Sequence, residues 1–361
     1  MNRELLNQRF MKLMENTILP ENSDKENIQY AWKNIDDLVL PNVPKQLFRF
    51  RSANLYSLMS LEHNTIALCN PDVFKDKYDS LIFVDKEKIR NEVAKGFTTE
   101  YQKDLISEIR RTGAIPKLFL QLFGVQISNL IVQNIMNSSD IQIQDAMNTN
   151  QKENLIPLLD YVESIANNQI RNIRKNTLTK IACFTESVHS KIMWDQYADG
   201  YKGFALEYDL TGFLGEKESI SPDELVHPSL FPVIYSNKRY DATNIVSWYL
   251  GDWFAKYMNM PGSFIFPDIL FWFKAFLYKD KAEYSYENEW RFMCQCKAEI
   301  NKPFMKITCG NRLKGIYYGP EIAPDIKSHL HIVAQNLKIQ EYDVLLNTEE
   351  PGFDLIVNPL G

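Results

Sequence analysis

Tyr284-Ser285-Tyr286-Glu287-Asn288-Glu289-Trp290-Arg291-Phe292 alternates charge with aromatic bulk. At the two-residue period of a β-strand, Glu287, Glu289 and Arg291 share one face, while Tyr286, Trp290 and Phe292 share the other. The alternation runs on to Cys296 and predicts a strand over 284–296. Its polar face has two readings. One is the salt-bridged, solvated side of a half-buried strand, as one-sided sheets show. The other is a carboxylate pair in a cleft, steadied by the adjacent guanidinium, in which the like charges push each other's pKa values apart.

Outward from that stretch, further strands are expected at Leu47–Arg51, Thr65–Cys69, Ile181–Phe184, Gly203–Tyr208 and Phe231–Tyr235. On the first, Arg49 and Arg51 face one way and Phe48 and Phe50 the other. Ile316–Tyr318, a helix near Asp325–Asn336, and Leu337–Leu346 read as strand, helix, strand. The first forty residues carry an uneven helical stripe (Leu5, Phe10, Leu13, Met14), followed by the stiff linker Pro41-Asn42-Val43-Pro44. Asp85 to Asn176 has apolar spacings of three and four and reads as helical, with a loop expected around Asn148-Thr149-Asn150-Gln151. Two aromatic helices are expected at 241–257 and 267–278. Strand clusters separated by long helical blocks predict an α+β fold with a mixed or antiparallel sheet. The expected organisation is a helical extension over 1–44 and one α+β domain over 45–361, with a helical insertion over about 86–176.

Composition narrows the function. The 361 residues are 45% hydrophobic and 24% charged, an ordinary globular balance, with a net charge of -6. That charge offers no general footprint for duplex DNA or anionic lipid. Aromatic residues make up 12%, enough for a heavy core or a pocket for planar ligands. The five cysteines (Cys69, Cys183, Cys294, Cys296, Cys309) include no C-x-x-C pair. Reduced thiols are expected rather than a disulfide framework or a zinc knuckle. Charge interrupts the first residues before any leader-like apolar run. The longest apolar stretch, 264–278, is broken by Pro267, Asp268 and Lys274 and is shorter than a membrane span needs. A soluble cytoplasmic protein is expected.

Other segments carry weaker signals. Thr185 and Ser187 could cap the helix containing Met193 and Trp194, or line a site at a strand end. Trp194 and Tyr197, three apart on that helix, read as core. Arg49 and Arg51 are either a solvated pair or a clamp for a diphosphate. His329-Leu330-His331 has neither metal-helix spacing nor a nearby acidic partner, so a surface helix is expected rather than a ligand pair. Lys75-Asp76-Lys77 and Lys86-Glu87-Lys88 read as solvated faces. Neither a phosphate-binding P-loop nor a G-x-S-x-G elbow occurs.

Taken together, several motifs stand in a familiar order. They are Arg49-Phe50-Arg51, the strand before Asn70-Pro71, Ala182-Cys183-Phe184-Thr185, Met193-Trp194-Asp195-Gln196-Tyr197-Ala198, Lys202-Gly203-Phe204 and Glu287-Asn288-Glu289-Trp290-Arg291. From about Leu47 to Leu346 the chain resembles the bacterial family catalogued as domain of unknown function 2971. It departs from that pattern at Lys75-Asp76-Lys77-Tyr78-Asp79, where the family shows an Asn-Asp-Pro-Phe-Asp-like run. An early arginine, a Thr-x-Ser and a late Glu-x-Glu also resemble the motif order of ADP-ribosyltransferases. That resemblance implies an ADP-ribosyltransferase-like fold and NAD as a substrate, with no metal. Glu289 would stabilise the oxocarbenium-like ribose, and Glu287 would orient an acceptor. Thr185 or Ser187 would support Glu289. Arg51 or Arg49 would hold the diphosphate, with Ser187 and Arg291 as further dinucleotide contacts, and aromatic rings would sandwich the nicotinamide. The expected activity is an NAD-consuming ADP-ribosyltransferase or NAD glycohydrolase, in a toxin or anti-phage setting, acting on a protein or nucleic-acid acceptor or on none. Two alternatives stand beside it. One is a non-catalytic recognition module. The other is a metal-dependent nuclease or phosphodiesterase with Asp76, Asp79, Glu287 and Glu289 as oxygen ligands, which the acidic balance disfavours.

Overall fold

The computed structural model describes residues 1–96, 98–175, 177–211, 225–257, 264–296 and 302–360. Two N-terminal helices, α1 (Arg3–Asn16) and α2 (Lys25–Val39), lead into β1 (Leu47–Arg51), α3 (Leu55–Glu62) and β2 (Thr65–Cys69). Four helices follow: α4 (Lys86–Gly96), α5 (Thr99–Thr112), α6 (Lys117–Asn137) and α7 (Asp140–Asn172). Then come β3 (Thr179–Thr185), α8 (Lys191–Tyr197), β4 (Phe204–Tyr208), β5 (Leu225–Pro232), β6 (Ile234–Ser236) and α9 (Thr243–Tyr257). The short α10 (Phe271–Lys274), β7 (Tyr278–Asp280) and α11 (Lys281–Tyr284) precede β8 (Glu289–Cys296) and β9 (Phe304–Thr308). The chain closes with β10 (Leu313–Tyr318), α12 (Pro324–Leu337), β11 (Gln340–Leu346) and β12 (Leu355–Leu360). The fold is α+β around a mixed sheet.

That sheet runs β12-β11-β10-β4-β1-β3-β2-β9, with β8 also on β3 and β5 on β8. β3 and β8 pair along their length, from Thr179↔Gln295 to Thr185↔Glu289. On its other side β3 meets β1 only at Phe48↔Thr185 and β2 only at Cys69↔Ile181. β1 and β3 therefore part after one shared pair, and the sheet opens into a cleft. Phe48 and Phe50 of β1 join Val188, Trp194 and Tyr317 in a small core of their own. Phe50 meets Trp194 edge-on at 4.9 Å.

The N-terminal helices belong to the main core. Leu6, Phe10 and Met14 of α1, and Ala31, Ile35 and Val39 of α2, recur every four residues and are buried. Phe10 stacks on Phe231 at 5.7 Å.

Several expectations are corrected. The helix α7 runs straight through Asn148–Gln151, where a loop was expected. Asn and Gln cost a helix only tenths of a kcal/mol each, and the buried stripe of Met147, Leu158, Val162 and Ala166 outweighs that. The expected strand Phe231–Tyr235 breaks at Val233 into β5, antiparallel to β8, and β6, parallel to β7. The expected helix 267–278 shrinks to four residues, because Asp268 accepts from the backbone N–H groups of Leu19 and Leu270 and pairs with the buried Lys274. The strand expected over 284–296 begins only at Glu289, since Ser285–Glu287 is a 3-10 turn. Among the described residues no helix is long and apolar enough to cross a membrane.

Candidate functional site

The cleft between β1 and β3 encloses about 260 Å3. Arg49 and Arg51 of β1 line it, as do Cys183 and Thr185 of β3, Asp76 and Asp79 of the loop after β2, Tyr197 of α8, Lys279 of β7, Glu287 and Glu289. Phe48, Phe50, Phe74, Phe184 and Met193 supply apolar wall.

Local backbone brings the two glutamates together. Asn288 takes the left-handed conformation, φ 43°, which asparagine tolerates better than most residues. This kink, rather than strand alternation, turns both carboxylates toward Lys279. The Lys279 Nζ lies 2.5 Å from Glu287 Oε2 and 2.9 Å from Glu289 Oε2. Lys279 is itself placed by the parallel pairing Tyr235↔Lys279. The Tyr235 hydroxyl also accepts from the Glu289 backbone N–H at 2.8 Å. From the next strand, the Thr185 hydroxyl donates to the Glu287 carbonyl at 2.5 Å. Tyr197 donates its phenol to Glu287 Oε1 at 2.6 Å.

Beneath them lies Arg291, fully buried. It donates through Nε to Glu289 at 2.8 Å, through Nη2 to Asp79 at 2.6 Å, and through Nη1 to Ser80 and the Phe276 carbonyl. Three carboxylates (Asp79, Glu287, Glu289) thus share two cations (Lys279, Arg291).

The two glutamates titrate apart. Burial and the neighbouring Glu289 raise the Glu287 carboxyl to about 7. Burial alone would raise Glu289 too, but Arg291 and Lys279 outweigh it and hold that group well below the usual carboxylate range. Burial would likewise lower Lys279, but Glu289, Asp79 and Glu287 keep it charged well above its ordinary value. Burial, with Glu287 beside it, pushes the Tyr197 phenol up, so it stays protonated and donates. The glutamate pair therefore combines one carboxylate held ionised with one carboxyl that changes charge near neutrality.

The β1 wall has the opposite character. The Arg51 guanidinium has no ion pair or hydrogen bond among the described residues. Burial and the repulsion of Arg49 push it down to about 9, which still leaves it cationic at neutral pH. Arg49 donates Nη2 to the Ala67 carbonyl at 2.8 Å, while its buried Nη1 has no hydrogen-bond partner among the described residues. Burial raises the Cys69 and Cys183 thiols in the same cleft, which keeps them protonated rather than nucleophilic.

Of the residues singled out in the sequence, Arg49, Arg51, Thr185, Glu287 and Glu289 meet around this one cleft. Ser187 is not among its lining. The Ser187 hydroxyl accepts from the His189 N–H at 3.1 Å, and the helix it could have capped is capped by Ser190. Arg291 sits under the cleft rather than on its surface. Tyr197, read as core, is a cleft residue, whereas Trp194 is fully buried as expected. Lys75 and Asp76, read as a solvated face, line the cleft. The acidic partners of His329 and His331 come from elsewhere in the chain, as Glu62 at 2.8 Å and Glu341 at 2.9 Å. Sequence reasoning missed Lys279 altogether, because Tyr278-Lys279-Asp280 carries no alternation of its own. Among the described residues no group of three or more His, Cys, Asp or Glu side chains is arranged to hold a metal.

Residues 193–292 match the family model described as protein of unknown function (DUF2971). The matched span runs from α8 into β8 and contains both the Trp194–Tyr197 and the Glu287–Arg291 motifs. No curated protein and no solved structure gives a significant match.

Proposed function

We propose that this chain, which resembles the DUF2971 family from Met193 to Phe292, binds NAD in the β1–β3 cleft and breaks its nicotinamide–ribose bond. One observation carries the reading. A guanidinium with no counter-ion among the described residues, Arg51, lines the same cleft as a buried carboxylate pair whose protons come off at different pH.

The chemistry uses each part. Arg51 and the free Nη1 of Arg49 would take the diphosphate, since a planar guanidinium fork suits phosphate oxygens. The aromatic wall would hold the nicotinamide ring. At about 260 Å3 the cleft is small for a ligand pocket, so it suits the nicotinamide–ribose–diphosphate part, with the adenosine outside. As the C–N bond breaks, its electron pair goes to the nicotinamide nitrogen and positive charge develops on the ribose. Glu289 is the fixed negative charge next to that position. Glu287, ionised above about 7, accepts the proton of the attacking water or acceptor group. With Glu287 ionised, a second negative charge stands beside Glu289 at this end of the cleft, which favours a cationic transition state.

A second reading is recognition without turnover. It rests on Glu289, whose two oxygens are already engaged by Arg291 and Lys279, as in a purely structural network. NAD labelled separately in its nicotinamide and adenylate parts separates the two. We expect nicotinamide release that falls on the order of a hundredfold or more in Glu289→Gln. Binding with no release, in the presence of candidate acceptors, would favour recognition instead.

A further inference from the structure

A second concavity, of about 580 Å3, adjoins the cleft and shares Lys279 with it. Its walls include Tyr78, Phe83, Lys238, Arg239 and Tyr278. We infer that this groove receives the group to which ADP-ribose is transferred, and that the group is a nucleotide unit of a single-stranded nucleic acid. The inference rests on the NAD reading above and adds to it that the enzyme is a transferase rather than a simple glycohydrolase.

Position is the first argument. Lys279, the residue that bonds both Glu287 and Glu289, is the wall that the groove and the cleft share, so the groove lies one residue away from the carboxylate pair. The donor's adenylate would lead away past Arg49 and Arg51, on the β1 wall. A glycohydrolase needs only a water at the reacting carbon, whereas a transferase needs room there for a second substrate. In the transfer step the acceptor oxygen or nitrogen bonds to the ribose carbon as the bond to nicotinamide breaks. The acceptor's proton passes to Glu287.

Lining chemistry is the second argument. Tyr78 and Phe83 are 68% and 40% exposed, offering flat faces on which a base can stack. The Arg239 guanidinium lies 5.8 Å from the Phe83 ring centre and donates to the Ile82 carbonyl at 3.3 Å. Lys238 is exposed and has no ion pair among the described residues. The groove's two carboxylates, Asp241 and Asp280, each engage one oxygen in local hydrogen bonds. Asp241 accepts from Thr243 N–H and hydroxyl, and Asp280 caps α11 through Ala282 and Glu283. Exposed rings beside Lys238 and Arg239 form the pattern that takes a base and its phosphate together.

The test is fluorescence anisotropy of a short labelled single-stranded DNA and the matching RNA, run beside nicotinamide release without nucleic acid. Two phosphate contacts predict that log K falls with log salt at a slope of about −1.4. Lys238→Ala/Arg239→Ala and Tyr78→Ala should each weaken binding at least about tenfold. The double variant should release nicotinamide at the wild-type rate. No binding, or binding indifferent to these changes, overturns the inference. So does displacement of the oligonucleotide by ADP, which would give the groove to the donor's own adenylate, or capture of an acidic peptide in its place. Nucleic acid bound in the groove while NAD stays intact supports the groove assignment and sinks the donor reading alone.

Discussion

Glu287 is the residue on which the proposed chemistry turns, because it alone in the cluster changes charge near neutral pH. Its folded-state pKa of about 7 stands above the ordinary 4.5, which has two consequences of opposite sign. As a base it works only when ionised, so nicotinamide release should rise with pH through about 7 and lose that rise in Glu287→Gln. The folded chain, however, holds a proton between 4.5 and 7 that the unfolded chain has lost. Stability should therefore fall as pH rises through that window, and Glu287→Gln should flatten the fall, measured by urea denaturation across pH. At this scale the sequence was half legible. The pairing of Glu287 with Glu289 and the arginine beside them could be read from spacing. The left-handed Asn288 and the arrival of Lys279 and Tyr197 from other elements could not, because neither leaves a local pattern.

At the scale of elements, the site depends on β1 holding its line against β4. Gly203 is the tight point: a Cβ there would stand 2.1 Å from the Arg51 carbonyl oxygen. That contact is backbone, so it cannot relax as a flexible side chain would. Gly203→Ala should push β1 outward and displace Arg51. The expected outcome is weakened binding of NAD, by tenfold or more if a charge-assisted phosphate contact is lost, with a lowered Tm alongside. Unchanged affinity would show that Arg51 does not touch the ligand. Strands of two-residue alternation, β1 and β8 among them, were visible in the sequence because each has one buried face. The short β7 was not, since three residues set by a parallel partner have no period to read. The end of β8 was misplaced for a related reason: Tyr284–Asn288 alternates in composition, but the chain there turns. Helix α7 was misjudged in part because a polar tract hides the stripe that its neighbours bury.

Across the whole molecule, the aromatic excess has separate destinations. Part fills the main core, as where Trp32, Phe231 and Phe273 pack together. Part forms the cleft wall and the exposed rings of the adjoining groove. The acidic net charge of -6 also proves locally divided, with arginines on one cleft wall and a carboxylate cluster on the other. Composition could predict both uses of the rings without placing them, because placement depends on where β1 and β3 separate. The central claim is that one ligand bridges these two walls. It is tested most directly by a crystal structure with an NAD analogue whose nicotinamide–ribose bond cannot be cleaved. The account predicts a diphosphate on Arg51 and Arg49, with the ribose carbon facing Glu289 and Glu287. An analogue bound elsewhere, or a cleft that stays empty at saturating concentration, would contradict it.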